Sequence, residues 1–164
     1  MTPQIQNWVK ASRKKFIKNP GRVLEIGSKD ITGNIREYFK DAKVYIGTDK
    51  ERGFNVDLII DAHDLLKKFK AGDFDIVLCF EMLEHDRQFW KTVEIMQKLV
   101  KKKGYLIISA PTFGFPLHKH PKDYFRYGED AFREILFAGL KILELSEVKD
   151  DFGSPAICCI GQKV

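Results

Sequence analysis

Short apolar runs of strand length alternate with stretches whose apolar residues recur at helical spacing, from residue 22 to the end of the chain. The runs are RVLEIG (22 to 27), KVYIGT (43 to 48), VDLIID (56 to 61), FDIVLCF (74 to 80) and GYLIISA (104 to 110). Between them, 33 to 40 carries Ile35, Tyr38 and Phe39, 62 to 70 carries Leu65, Leu66 and Phe69, and 86 to 102 carries Phe89, Trp90, Val93, Met96 and Val100. A last helical stretch covers 129 to 138, and two final strands, 140 to 148 and 156 to 163, flank the turn-rich DDFGSP. Parallel strands need a crossover, and helices supply it, so this alternation predicts an α/β fold with a mostly parallel sheet covered on both faces. The closing pair adds one antiparallel strand.

An N-terminal helix over 1 to 20 precedes the alternation. Thr2 and Pro3 are a cap and first-turn pair, Ile5, Trp8, Val9 and Phe16 follow at roughly helical spacing, and Asn19, Pro20 and Gly21 end it. The 164 residues suffice for one domain that buries roughly 70% of its unfolded surface, so the expectation is a single unit over 1–164. No apolar run approaches the ~18 residues of a membrane span, and MTPQIQNWVKASRKKFIK lacks the apolar core of a secretion signal. A cytoplasmic protein is expected. Cys79, Cys158 and Cys159 are odd in number and without metal spacing, which reads as small buried hydrophobes on strands.

The net charge of +5 gathers in RKKFIK (13 to 18), KKFK (67 to 70) and KKK (101 to 103). A polyanionic partner is one reading. Solvated lysines at helix ends are the plainer one, and it is favoured.

VLEIGSKDITGN, residues 23 to 34, reads as a buried strand entering a glycine turn. A dinucleotide fingerprint has three glycines that admit a pyrophosphate. Here only Gly27 is in place, Lys29 and Thr32 occupy the other two positions, and Asp30 would repel a diphosphate. The turn therefore suits an adenosyl ligand without phosphate and with positive charge. S-adenosylmethionine (SAM) is such a ligand, and acidic residues favour its sulfonium and ammonium. Glu25, Asp49 and Asp61 lie on or at the ends of three consecutive strands. Asp49 follows Gly27 by 22 positions, near the offset of about 20 at which an acid meets ribose hydroxyls. Asp61 also reads as an ordinary helix cap.

VLEIGSKDITGNIREYF, YIGTDKERGFNVDLIIDAHDL, FDIVLCFEMLEH, KKGYLIISAPTF and HPKDYFRY, taken in order, resemble successive motifs of the Rossmann-like (class I) SAM-dependent methyltransferases. The likeness is to small methyltransferase domain proteins carrying LEIGS, and it runs from about residue 21 to the end. It implies a Rossmann-like seven-stranded sheet with one antiparallel strand. It also implies that Glu25, Gly27 and Ser28 face the methionine part of SAM, and that Asp49, with Lys50 alongside, takes the ribose. Asp61, Ala62 and His63 would lie near the adenine, and Phe80 and Glu81 would line the methionine pocket.

Methyl transfer is an in-line displacement, so alignment in a dry pocket supplies much of the catalysis, and an oxygen or nitrogen acceptor adds a need for a base. The histidines are His63, His85, His118 and His120. His85, in EMLEHD, orients the turn after the fourth strand or touches the substrate. The irregular stretch 111 to 128 leaves the carboxyl end of the fifth strand, where ligands bind in such folds. Within it His118 or His120 is the candidate base, with Tyr124 and Arg126 shaping the acceptor pocket; structural hydrogen bonding in a surface loop is the alternative. Amino methylation of adenine would need a prolyl-tyrosine motif where the chain has FEML. Cytosine methylation would need an activated cysteine, and Cys79 is inside an apolar strand. HKH is the only suggestive metal pair, and no metal site is expected.

The expectation is a SAM-dependent methyltransferase acting on the oxygen or nitrogen of a small molecule or glycan precursor. An RNA methyltransferase using the lysine clusters, and a non-catalytic SAM-binding or partner subunit, are the alternatives. Oligomeric state is not legible.

Overall fold

The computed structural model of the protein describes residues 1–31, 33–119 and 122–164. Helix α1 (Pro3–Phe16) starts where its cap predicts: the Thr2 hydroxyl accepts from the Ile5 amide, and Pro3, with no amide to satisfy, opens the helix. The sheet strands are β1 (Arg22–Ile26), β2 (Val44–Asp49), β3 (Leu58–Ile59), β4 (Phe74–Phe80), β5 (Val100–Pro111), β6 (Leu140–Lys149) and β7 (Pro155–Lys163). Helices α2 (Leu65–Lys68), α3 (Phe89–Leu99) and α4 (Glu129–Ala131) lie between them.

The strand order is β3-β2-β1-β4-β5-β7-β6, with β7 antiparallel to both its neighbours and the other pairings parallel. Alternation along each strand sends residues to opposite faces. Val23, Ile76, Leu78, Ile107, Cys158 and Ile160 pack on one face against Ile5 and Val9 of α1. Leu24, Val77, Cys79, Leu106, Ile108 and Cys159 pack on the other against Val93, Met96 and Leu99 of α3. The three thiols are free and buried, as expected, and burial pushes each above its ordinary value.

Several expected elements shrink, and Val100, expected in the helix over 86 to 102, opens β5 instead, since α3 ends at Leu99. The helix over 33 to 40 is a single 3-10 turn, Arg36–Phe39, because the preceding loop is tied to Asp30 instead of winding. The Asp30 carboxylate accepts from the Gly33 amide (2.7 Å) and the Asn34 side chain (2.9 Å), and Ile35 and Phe39 still reach the core. Asp30 is thus a staple of this loop. The third strand keeps only Leu58–Ile59 at the sheet edge, since Asp57 is drawn off to Gly47 and Arg36. The stretch 129 to 138 is a short helix running into a π turn, Phe132–Leu136.

Candidate active site

Strand order reverses between β1 and β4, and the crevice that this opens at the carboxyl ends of the strands is where ligands bind in open α/β sheets. A cavity of about 530 Å³ lies there. Glu25, Gly27, Ser28, Asp49, Lys50, Asp61, Ala62, His63, Phe80 and Glu81, expected to hold a cofactor, all line it. So do His85, His118 and Tyr124. His120 lies outside the described residues.

The glycine turn is built by short backbone bonds. The amides of Gly27 and Ser28 both donate to the Thr48 carbonyl at 2.9 Å, which joins the end of β1 to the end of β2. Gly27 has φ +76, and a Cβ there would lie 2.8 Å from Met82 Cγ. The Ser28 hydroxyl donates to the Asn55 carbonyl at 3.1 Å. Gly47, which the sequence did not mark, is also required: a side chain there would run into the same Asn55 carbonyl. The position of the missing second glycine has a role of its own. The Lys29 amide donates to Asp49 Oδ2 at 3.3 Å while its ammonium pairs with Glu51 at 2.7 Å. With the Glu51 amide on Oδ1 at 3.0 Å, both Asp49 oxygens are fixed in direction.

Two carboxylates stand at the heart of the cavity. Glu25 is buried, and desolvation pushes it up to about 7, opposed by the Tyr45 hydroxyl that donates to it at 2.8 Å and by the Arg36 charge. Glu81, after β4, has φ +48, a region that non-glycine residues adopt only where surroundings force it. Its amide donates to the Ser109 carbonyl, and its carboxylate accepts from the Ser109 hydroxyl at 2.8 Å. Burial, and then the nearby Glu84, raise Glu81 to about 7.

Asp61 does what a cap does: it accepts from the His63 amide at 2.8 Å, and it also lines the cavity. The His63 ring meets Asp86 at 3.1 Å through Nε2, and the same Asp86 oxygen accepts from Thr92 at 2.6 Å. Asp86 lines the cavity and was not singled out in the sequence, although it ends EMLEHD.

The stretch 111 to 128 closes the acceptor side. Tyr124 is partly exposed, and its amide donates to the Glu84 carbonyl at 2.8 Å. His85 Nδ1 is held by the Lys122 carbonyl, so His85 does fasten the turn after β4 to this stretch. His118 donates its amide to Asp123 at 2.9 Å, and its Nε2 lies 3.5 Å from the buried Glu84 carboxylate, which raises the imidazole above its usual value against desolvation. Glu84 was not anticipated; its partner histidine lies 34 positions away, beyond any local motif.

Arg126 corrects an expectation. It is not among the residues lining the cavity. Its guanidinium grips Asp123 with both terminal nitrogens and donates to the carbonyls of Phe115 (3.1 Å), Pro116 (2.8 Å) and Phe125 (2.7 Å). Those donors are spent on the loop itself and leave none for an acceptor.

A model of the methyltransferase domain family matches residues 3–137. No curated protein sequence matches the chain. Among solved structures, the 1,6-didemethyltoxoflavin-N1-methyltransferase of Burkholderia thailandensis, with 1,6-didemethyltoxoflavin and S-adenosylhomocysteine bound, is similar at TM-score 0.80 and 16% identity, covering 98% of this chain and 78% of that one. A SAM-dependent methyltransferase from Archaeoglobus fulgidus is similar at TM-score 0.65 and 18% identity, covering 96% of this chain and 94% of that one. The [4+2]-cyclase SpnF is similar at TM-score 0.74 and 12% identity, covering 96% and 80%. These likenesses bear on the fold; the family match covers most of the chain, including both walls of the cavity. The chain belongs to the methyltransferase domain family and is an enzyme whose cofactor is S-adenosylmethionine.

Proposed function

We propose that this methyltransferase transfers the methyl group to the oxygen or nitrogen of a small molecule, a glycan precursor included, in the cytoplasm. The observation that carries this reading is the convergence on one cavity of the cofactor candidates from β1, β2 and β4 with His118 and Tyr124 of the 111 to 128 stretch. In this reading Glu25 and Glu81 meet the ammonium and sulfonium of SAM. Asp49 accepts from the ribose hydroxyls with Lys50 beside it, and Asp61, Ala62 and His63 frame the adenine. Gly27 and Ser28 let the methionine part approach the backbone, and Phe80 supplies an apolar wall. His85, His118 and Tyr124 border the acceptor.

The cavity volume falls within the range of about 300–1,000 Å³ typical of small-molecule sites. The 1,6-didemethyltoxoflavin-N1-methyltransferase, of similar fold, has 1,6-didemethyltoxoflavin bound. Free, buried cysteines suit a reducing compartment. No described helix is long and apolar enough to cross a membrane.

The test is release of S-adenosylhomocysteine from SAM across a panel of hydroxylated and aminated small molecules and activated sugars, with wild type, His118→Ala and Tyr124→Ala. Turnover with at least one acceptor is expected, falling at least about a hundredfold in His118→Ala while SAM affinity stays within about threefold. Loss of SAM binding together with turnover would show that the 111 to 128 stretch supports the fold instead. A folded, SAM-binding wild type that turns over none of them would move the non-catalytic reading to first place.

A further inference from the structure

One carboxylate next to the cavity wall accepts no hydrogen bond among the described residues. Glu84, in the 3-10 turn Leu83–His85 after β4, has a fully buried side chain, and neither of its carboxylate oxygens meets a donor among the described residues. Burying a carboxylate is costly unless positive charge or donors surround it. What faces Glu84 is a pair of imidazole nitrogens: His118 Nε2 at 3.5 Å and His85 Nε2 at 3.6 Å, both from the same oxygen, Oε1.

The far nitrogen of each ring decides what the near one offers. His85 Nδ1 sits against the Lys122 carbonyl, which can only accept, so Nδ1 carries the proton and a neutral ring turns a lone pair toward Glu84. His118 Nδ1 lies 3.3 Å from Asp123 Oδ2 without a hydrogen bond to it, and Asp123 is itself clamped by Arg126. An imidazole with Nδ1 on a carbonyl and Nε2 turned inward, as in His85, is how proteins orient metal-ligating histidines. The three ligand atoms lie within 4.8 Å of one another. With both rings neutral, three electron-rich atoms this close repel unless a cation, a proton or a metal ion, lies between them.

We propose that Glu84, His85 and His118 bind one divalent transition-metal ion, and that this ion holds a hydroxyl of the methyl acceptor. Metal–ligand lengths of about 2.0–2.2 Å in a tetrahedral site imply ligand separations of about 3.4 Å, close to the two distances observed. Two imidazoles with one carboxylate suit zinc, iron, cobalt or manganese better than calcium or magnesium, whose ligands are oxygens. Three protein ligands leave a position open, as catalytic sites do, and His85 and His118 both line the cavity. An acceptor hydroxyl on that position loses its proton to solvent at lower pH than in water. Its oxygen then forms the bond to the methyl carbon as the carbon–sulfur bond of SAM breaks. The sulfonium leaves as the neutral thioether, and one proton is released per turnover. The role of the ion rests on the methyl-transfer reading and narrows it to oxygen acceptors; the binding of the ion does not rest on it.

The experiment is titration of the chelator-stripped full chain with Co²⁺, followed by visible absorption, with Zn²⁺ as competitor. Glu84→Gln, His85→Ala and His118→Ala are run in parallel, and a SAM-dependent melting shift serves as the fold control. One equivalent of Co²⁺ with ligand-field bands, displaced by Zn²⁺, is expected, and each variant should bind at least about tenfold more weakly while keeping its SAM shift. Glu84 is buried, so if Glu84→Gln loses the SAM shift, His118→Ala decides. Wild type taking up neither ion at millimolar concentration, or His118→Ala binding Co²⁺ as well as wild type, would overturn the site and leave protons as what neutralises Glu84. Turnover undiminished in chelator-stripped enzyme would overturn the acceptor-holding role alone. Absence of a SAM shift in the wild type would count against the methyl-transfer reading, independently of the Co²⁺ result.

Discussion

Gly27 holds a backbone conformation that L side chains rarely adopt, and Met82 fills the space where its Cβ would go. Gly27→Ala is therefore expected to cost about 1–3 kcal/mol of stability and to weaken SAM binding at least about tenfold, measured by urea unfolding and calorimetry. Glu25 carries a sharper prediction because its carboxyl lies near 7 in the free protein. The groups facing it are Tyr45, Arg36, Asp30 and Asp57, and burial outweighs them. Its folded value lies above its ordinary one, so between about 4.5 and 7 the folded chain keeps a proton that the unfolded chain has released. Stability of the ligand-free protein thus falls as pH rises through that window. Ligand binding runs the other way. In the proposed reading the charges of SAM select both the Glu25 and the Glu81 carboxylates, so affinity should fall up to about a hundredfold for each pH unit below about 7, and Glu25→Gln should reduce that slope by one. Calorimetry in buffers of different ionisation enthalpy checks it; an unchanged slope in Glu25→Gln would place the ammonium elsewhere.

The 111 to 128 stretch behaves as an element although its described residues after Pro111 form no helix or strand. Arg126 supplies its internal framework, the Thr112 amide ties it to Pro155, and the Tyr127 amide returns it to Pro111. Asp123 is buried beneath Arg126, so Arg126→Ala leaves an uncompensated carboxylate and should cost about 3 kcal/mol. Hydrogen exchange should show lost protection across the stretch with β1 and β2 unaffected, and KM for the acceptor should rise more than the Kd for SAM. A uniform loss across the sheet would show that the stretch is part of the global folding unit. This element also marks the limit of what the sequence discloses. The strands and the acids that line the cavity were legible because period-2 burial and strand-end position are local properties, visible in VLEIG, YIGTD and FDIVLCF. The role of Arg126 was not, because saturation of its donors by three carbonyls depends on how the loop closes. Glu84 and Asp86 were hidden for a related reason: each acquires meaning only from a histidine brought from another segment, His118 for one and His63 for the other. The helix expected over 33 to 40 failed where Asp30 offered the backbone and Asn34 a competing set of bonds.

The sheet has a chemical polarity at the scale of the whole molecule. The cavity opens at the carboxyl ends of the strands. All three basic clusters sit at the opposite edge: Arg13 to Lys18 end α1 just before β1, Lys67 to Lys70 end α2 and lead toward β4, and Lys101 to Lys103 begin β5. The seven residues of β4 separate the two edges by about 23 Å at ~3.3 Å per residue. Several of these charges are also occupied, Arg13 with Asp41, Lys15 with Glu144 and Lys101 with Asp75. A polyanion gathered on those lysines would hold its bases away from the methyl group, which is why the net charge of +5 does not argue for RNA methylation. The consequence is measurable. If RNA binds at all, its affinity should fall steeply with salt and should be insensitive to saturating S-adenosylhomocysteine, because the two ligands occupy opposite edges. Methyl transfer to a neutral small acceptor should change less than about twofold between 50 and 200 mM salt. RNA binding that strengthens with S-adenosylhomocysteine, or RNA that accepts methyl groups at low salt and ceases to do so at high salt, would mean that a basic path to the cavity exists and would reinstate the nucleic-acid reading.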